Sequence, residues 1–258
     1  MDERRRRAWA ALELGPLWVA RDRPDVLAPA AAQPPGDESP LAAMGAVDSP
    51  AAPPSSIAIA DHAARHARLE AVRVEAAGCP RCGLSQSRTQ VVFGTGDPSA
   101  RWMLVGEAPG AEEDLRGEPF VGQAGRLLDA MLAALGLSRE QHVYICNVLK
   151  CRPPNNRNPL PEEVAACAPY LREQLSLVRP QLLVALGRFA AQSLLGTTAS
   201  IASLRGKVHS IDADGRPLPV VVTYHPAYLL RDRLAEKALV WQDLCLARAT
   251  VPPLGSSD

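Results

Sequence analysis

The stretch Val105-Gly106-Glu107-Ala108-Pro109-Gly110-Ala111-Glu112-Glu113-Asp114 decides the fold. Ahead of it, Arg101-Trp102-Met103-Leu104-Val105 reads as a buried strand that stops at Gly106. Ala108-Pro109-Gly110 must then be irregular. Proline fixes its own φ and biases the residue before it away from the helical region, and glycine permits φ > 0. The carboxylates of Glu107, Glu112, Glu113 and Asp114 crowd behind that turn. A strand end, a tight turn and packed acids make a candidate active-site mouth, because open α/β sheets bind ligands beyond the carboxyl ends of their strands. The competing reading is an ordinary β-to-α loop with solvated acids.

Strand and helix signals alternate downstream. Leu127, Leu128, Met131, Leu132 and Leu135 recur at helical spacing, predicting a helix over about 122–135. Val143 to Val148 reads as a second strand. A helix over 161–178 opens at Pro161-Glu162-Glu163, with proline and acids in its first turn. Leu182 to Leu186 reads as a third strand, closed by Gly187, and 188–195 as a short helix. Val220 to Thr223 reads as a fourth strand and 234–248 as the last helix. Near-continuous apolar strands alternating with helices predict an α/β fold, a parallel sheet covered on both faces.

Upstream the character changes. Residues 1–23 hold a short amphipathic peptide, with Trp9, Leu12, Leu14, Leu17 and Trp18 among arginines and acids. Residues 24–64 are rich in Pro, Ala and Ser with few large apolar side chains, a composition that cannot offset chain entropy and predicts a tether. Residues 61–76 within and beyond it are compatible with a helix. His62 and His66 stand one helical turn apart there, with no acid or cysteine placed to join them on a metal. The folded domain is expected over 65–250, with a tail at 251–258.

The 28 basic and 28 acidic side chains cancel, which excludes a strongly basic nucleic-acid binder but not a local basic groove. No apolar run is long enough to span a bilayer, and no secretory signal follows the N-terminal arginines. A cytoplasmic, monomeric protein is expected. Six cysteines in such a chain point to metal or redox chemistry rather than disulfides. Cys79-Pro80-Arg81-Cys82 is a C-x2-C pair, and Cys151 and Cys167 flank a Pro-rich loop that folds back toward it. Four thiolates there could hold zinc or a [4Fe–4S] cluster, and spacing does not choose. Cys146, in a strand, and Cys245, in a helix, read as small hydrophobes.

The second strand ends at Asn147, whose amide offers a donor and an acceptor for a base edge. The fourth runs into Tyr224-His225-Pro226-Ala227-Tyr228-Leu229-Leu230-Arg231, so His225 shares a sheet edge with Glu107. A histidine there can donate to developing negative charge. Leu229 and Leu230 read either as a wedge or as packing against the last helix. Phe120, in Pro119-Phe120-Val121-Gly122, can stack on a planar ligand or plug the core.

Together, Gly106-Glu107-Ala108-Pro109-Gly110 with Glu113-Asp114, Pro119-Phe120-Val121-Gly122, Asn147 ahead of Lys150-Cys151-Arg152-Pro153-Pro154, and His225-Pro226-Ala227-Tyr228-Leu229 resemble the family 4 uracil-DNA glycosylases over about residues 75–248. The resemblance implies a three-layer α/β/α sandwich with a central four-stranded parallel sheet. It implies a [4Fe–4S] cluster on Cys79, Cys82, Cys151 and Cys167. It implies a monofunctional enzyme that flips uracil out of DNA and hydrolyses its N-glycosidic bond. In that frame Ala108 contacts uracil, Phe120 stacks on it, Asn147 reads its Watson–Crick edge, His225 faces O2 and Glu113 lies near C5. Glu107 is assigned to positioning water. Family 1 enzymes carry an Asp where this chain has Ala108, so that carboxylate cannot be copied across. Arg152, Arg157 and Arg231 would hold phosphates, and Leu229 and Leu230 would fill the gap left by the base. The loop from Pro153 to Pro159 has neither the histidine nor the insertion that lets some relatives bond covalently to abasic DNA, so turnover is expected.

Arg7-Ala8-Trp9 with Leu14-Gly15 and Trp18 is similar in pattern to the N-terminal peptide of the clamp-loader psi subunit, which implies a replication-machinery partner for residues 3–23. Two other readings stand beside the enzyme. One is a non-catalytic iron–sulfur DNA-binding module of the same fold. The other is a zinc-ribbon nucleotide-binding protein, which lacks support because no phosphate-binding glycine fingerprint is present.

Overall fold

The computed structural model describes residues 56–231 and 233–251. The 3–23 peptide, the tether as far as residue 55 and the tail from residue 252 lie outside the described residues. The remainder of the expected tether is helical. Helix α1 (Ser56–Ala77) begins ahead of the expected domain start at 65 and seats Leu69, Val72 and Ala76 in the core.

The strands are β1 (Thr95–Gly96), β2 (Trp102–Gly106), β3 (Val143–Asn147), β4 (Leu182–Leu186), β5 (Val208–Ala213) and β6 (Arg216–Thr223). They form one sheet in the order β1-β3-β2-β4-β6-β5. The expected four parallel strands are its centre, β3-β2-β4-β6. The sheet has six strands rather than four, because β1 and β5 add antiparallel edges to β3 and β6. Pro217 and Pro219 obscure the start of β6 in the sequence. They are tolerated because β4 pairs only from Val220 onward, so this part of β6 has a neighbour on one side alone.

Alternation along the strands builds two cores. Met103 and Val105 of β2 join Tyr144 of β3 beneath α1 and α4 (Pro161–Val178). Trp102 and Leu104 join Ile145 on the other face, with α3 (Gln123–Ala134) and α8 (Leu234–Thr250). The central strands are buried on both faces, which gives three layers and explains their unbroken apolar runs. Among the described residues, no helix is long and apolar enough to cross a membrane.

The register places the chemistry. Gly106 pairs with Asn147 and Leu186 with Thr223, so the carboxyl ends of the four parallel strands share one edge. Four short helices start close to that edge: α2 (Ala111–Arg116), α5 (Arg188–Leu195), α6 (Ile201–Leu204) and α7 (Pro226–Leu229).

Candidate active site

A cavity of about 860 Å³ opens at that edge, and Glu107, Ala108, Glu113, Phe120, Asn147 and His225 all line it. Gly106 makes the convergence possible. A Cβ at that position would stand 2.7 Å from Phe120 Cζ and would overlap the Asn147 amide oxygen. Gly187, at φ 93°, does the same beside His225, whose Cβ a side chain at 187 would meet at 3.0 Å.

Asn147 is 2% exposed, and its Oδ1 is buried without a hydrogen-bond partner. An orphan acceptor of this kind costs about 1–3 kcal/mol unless something bound supplies the donor. His225 is constrained on its other side. The Ala227 backbone N–H donates to its Nδ1 at 3.1 Å, which puts the proton of the neutral ring on Nε2. Burial holds the ring's pKa down at about 4, against an opposing pull from the Glu113 carboxylate. The ring is therefore a neutral Nε2–H donor at pH 7. It stacks on Phe120 with centroids 5.4 Å apart at 29°.

Phe120 itself sits at φ 56°, a left-handed conformation that costs a bulky residue energy. Arg139 holds it there, donating from Nη2 to the Phe120 carbonyl at 2.7 Å and from Nη1 to the Pro119 carbonyl at 3.2 Å. Two carboxylates fix Arg139 in turn, Glu118 at 3.0 Å and Asp129 at 2.8 Å.

The four acids separate. Glu107 faces the cavity, and burial raises its pKa, opposed by the Arg188 guanidinium. Glu113 also lines the cavity, but its oxygens accept the Gly110 N–H at 3.1 Å and the Val121 and Gly122 N–H groups at 3.0 Å. It clasps the loops on either side of the site. Asp114 turns away, 3% exposed, and accepts the Thr89 N–H at 3.0 Å. Glu112 pairs with Arg116 at 3.8 Å on the surface.

The residues expected to touch DNA divide too. Leu230 is 45% exposed, whereas Leu229 is fully buried in the core beside α8 and cannot be a wedge in this fold. The helical turn of α7 forces adjacent leucines onto different faces. Arg231 lines the cavity. Arg152 donates to Asn156 Oδ1 at 2.7 Å. Arg157 lines the cavity but is committed to Glu163, at 2.9 and 2.5 Å, so it fastens its loop to α4 rather than offering a free guanidinium.

Cys79, Cys82, Cys151 and Cys167 line a second, small cavity, and Cys146 and Cys245 do not. Arg81, Arg88 and Lys150 line it as well, and no carboxylate does. Arg88 Nη1 donates to Cys151 Sγ at 3.2 Å, and the Lys150 N–H donates to Cys167 Sγ at 3.3 Å. Burial pushes the Cys151 thiol up to about 11 and raises that of Cys167. Among the described residues, no group of three or more His, Cys, Asp or Glu side chains is positioned to hold a metal ion. Four sulfurs facing one cavity with three cations around them nonetheless fit an anionic, thiolate-bound group.

A family model for the uracil DNA glycosylase superfamily matches residues 93–245. The chain belongs to this superfamily. A type-4 uracil-DNA glycosylase of Archaeoglobus fulgidus is 48% identical over 174 residues, covering 66% of this chain and 87% of that protein. One of Thermotoga maritima is 44% identical over 193 residues, covering 74% of this chain and 98% of that protein. One of Sulfurisphaera tokodaii is 45% identical over 176 residues, covering 66% and 80%.

In this superfamily member, Arg188, Phe189 and Ile201 also line the cavity, and sequence reasoning assigned none of them a role. Arg188 opens α5, directly after the carboxyl end of β4, and the same sheet-edge rule that found Glu107 and Asn147 points to it. The ring of His225 gives a first testable expectation. Its NMR resonances should titrate near pH 4 rather than at the ordinary histidine value of 6.5. The unfolded chain takes up that proton first, so the glycosylase should lose stability as pH falls from 6.5 toward 4, and His225→Gln should flatten that slope in thermal unfolding. A ring that titrates at 6.5 would contradict the lowering of its pKa by burial.

Proposed function

We propose that this chain excises uracil from DNA by hydrolysing the N-glycosidic bond, leaving an abasic site and free base. The observation that carries the proposal is the buried, unpartnered Oδ1 of Asn147, a residue that lines the same cavity as Glu107 and the neutral His225. Uracil offers what that acceptor lacks, an N3–H donor, with its O4 placed to accept from the Asn147 amide nitrogen. Cytosine presents the opposite pattern on both atoms. Phe120 supplies an apolar face for the flipped ring.

Bond cleavage builds positive charge on the sugar and negative charge on uracil. His225 Nε2–H is aimed to donate where that negative charge collects, and a neutral donor does so without holding a cation in the empty pocket. Glu107 orients water and opposes the charge on the sugar. Its raised pKa is drawn down by Arg188, which favours the carboxylate form. Leu230 and Arg231 are the exposed residues best placed to fill the gap in the stack and to meet a phosphate. The reading also assigns a [4Fe–4S] cluster to Cys79, Cys82, Cys151 and Cys167. The cationic, acid-free lining of their cavity supports it. Bound there, the cluster supplies a covalent cross-link between segments distant in sequence.

The test is direct. Purified protein is incubated with single-uracil and matched thymine oligonucleotides, followed by alkali. Strand breaks at uracil alone are expected, and none at either base would refute the proposal. Asn147→Asp should narrow the preference for uracil over cytosine by about tenfold or more, because one bidentate base contact is worth about 1–3 kcal/mol of discrimination.

A further inference from the structure

Lys150 is 1% exposed, an expensive place for an ammonium unless its charge is balanced. Its Nζ donates to the Asn147 carbonyl at 2.6 Å and to Gln174 Oε1 at 2.5 Å, and it lies 6.0 Å from the centre of the Phe93 ring. Gln174, fully buried, is held by donating through Nε2 to the Phe93 carbonyl at 2.8 Å and to the Tyr144 hydroxyl at 3.2 Å. All of these partners are neutral. Among the described residues, no carboxylate forms an ion pair with Lys150.

The same residue reaches the other site. Its backbone N–H donates to Cys167 Sγ at 3.3 Å, the next residue is Cys151, and Lys150 lines the four-cysteine cavity. Buried thiols in their protonated form would leave the ammonium uncompensated. Four thiolates around a cluster carry net negative charge and supply the missing partner.

We propose that Lys150 is a positioning residue that ties the base-reading Asn147 to the four-cysteine group, its charge balanced by the thiolates instead of a carboxylate. The inference rests on the cluster and the activity proposed above. Lys150 never meets the substrate. It pins the carbonyl at the end of β3, and this fixes where the Asn147 amide points. An anionic group in the cysteine cavity keeps that ammonium in place, so the state of one site is felt at the other.

The test uses the iron-loaded full chain and three variants. Lys150→Met keeps the length and removes the charge and both hydrogen bonds. Lys150→Gln removes the charge but keeps a polar group. Lys150→Arg keeps the charge. Two quantities are read: the midpoint potential of the bound cluster, and the single-turnover rate of uracil release at saturating enzyme. Loss of a nearby positive charge makes reduction harder, so the potential should fall in the Met and Gln variants and stay closer to wild type in Arg. The rate should fall about tenfold in Lys150→Met, the effect of losing a charge-assisted hydrogen bond, with affinity for uracil DNA little changed. A rate that falls at constant potential would mark Lys150 as packing only and overturn the proposal. A potential that moves at constant rate would overturn the tie to Asn147. If Lys150→Met does not accumulate as folded protein, Lys150→Gln decides by the same two readings. Wild-type protein that carries iron and releases uracil secures the underlying reading, so the variant results then bear on Lys150 alone. Wild-type protein without iron overturns both.

Discussion

Replacing His225 by alanine should lower the single-turnover rate of uracil release by a factor on the order of 10²–10³, the usual cost of one donor aimed at a developing anion. The geometry gives the reason. The Ala227 N–H occupies Nδ1, so the only proton of the neutral ring is on Nε2, and the ring is held in place by its stack on Phe120. Alanine removes that donor and leaves Glu107 and Asn147 where they are, since neither hydrogen-bonds to the imidazole. Affinity for uracil DNA should change much less than the rate, because the donor acts on charge that exists only as the bond breaks. His225→Gln should recover part of the loss by restoring a neutral N–H. Quench-flow measurement on a single-uracil oligonucleotide separates these outcomes. Equal losses of rate and affinity would place His225 in substrate binding instead.

The parts of this site that were legible in the sequence are those fixed by sheet topology. Asn147 ends β3, Glu107 is the first residue after β2 and His225 the second after β6, and parallel pairing brings such positions to one edge whatever the loops do. The partnerships of side chains across loops were not legible. Arg157 read as a phosphate contact, and nothing local announces that Glu163 has claimed it. Glu113 read as a contact to the base, and its engagement with three backbone amides depends on the closure of a loop eight residues on. Leu229 and Leu230 read as a pair, and only the α7 turn sends one to the core and the other to solvent. The strand β5 was missed for a different reason. Its residues alternate between exposed and half-buried, with no apolar face for periodicity to find, and its partner β6 opens with prolines. Arg139 carries no motif at all. It matters because it holds the strained backbone of Phe120.

Cys151→Ser should abolish the brown colour and the absorbance near about 400 nm expected of a thiolate-bound iron–sulfur group, whereas Cys245→Ser should keep both. The contrast follows from position: Cys151 lines the four-cysteine cavity, and Cys245 is exposed on α8 away from it. The four sulfurs come from the loop after α1, the segment after β3 and the middle of α4, so a group bound to all of them fastens three separate parts of one core together. Serine leaves a hydroxyl, a harder and weaker ligand for iron than a soft thiolate. Loss of the cross-link should cost on the order of 4 kcal/mol, about 10 °C in thermal midpoint for a domain of this size, and lower the soluble yield. Arg88 is the internal check. It donates to Cys151 Sγ at 3.2 Å and also to the Cys79 and Ala77 carbonyls, so it will stay ordered in the serine variant, and its removal should loosen the cysteine loop without stripping the iron. Iron and zinc analysis of the purified wild type decides the matter, since colourless protein with one zinc per chain would sink the cluster and leave the cavity to a single ion.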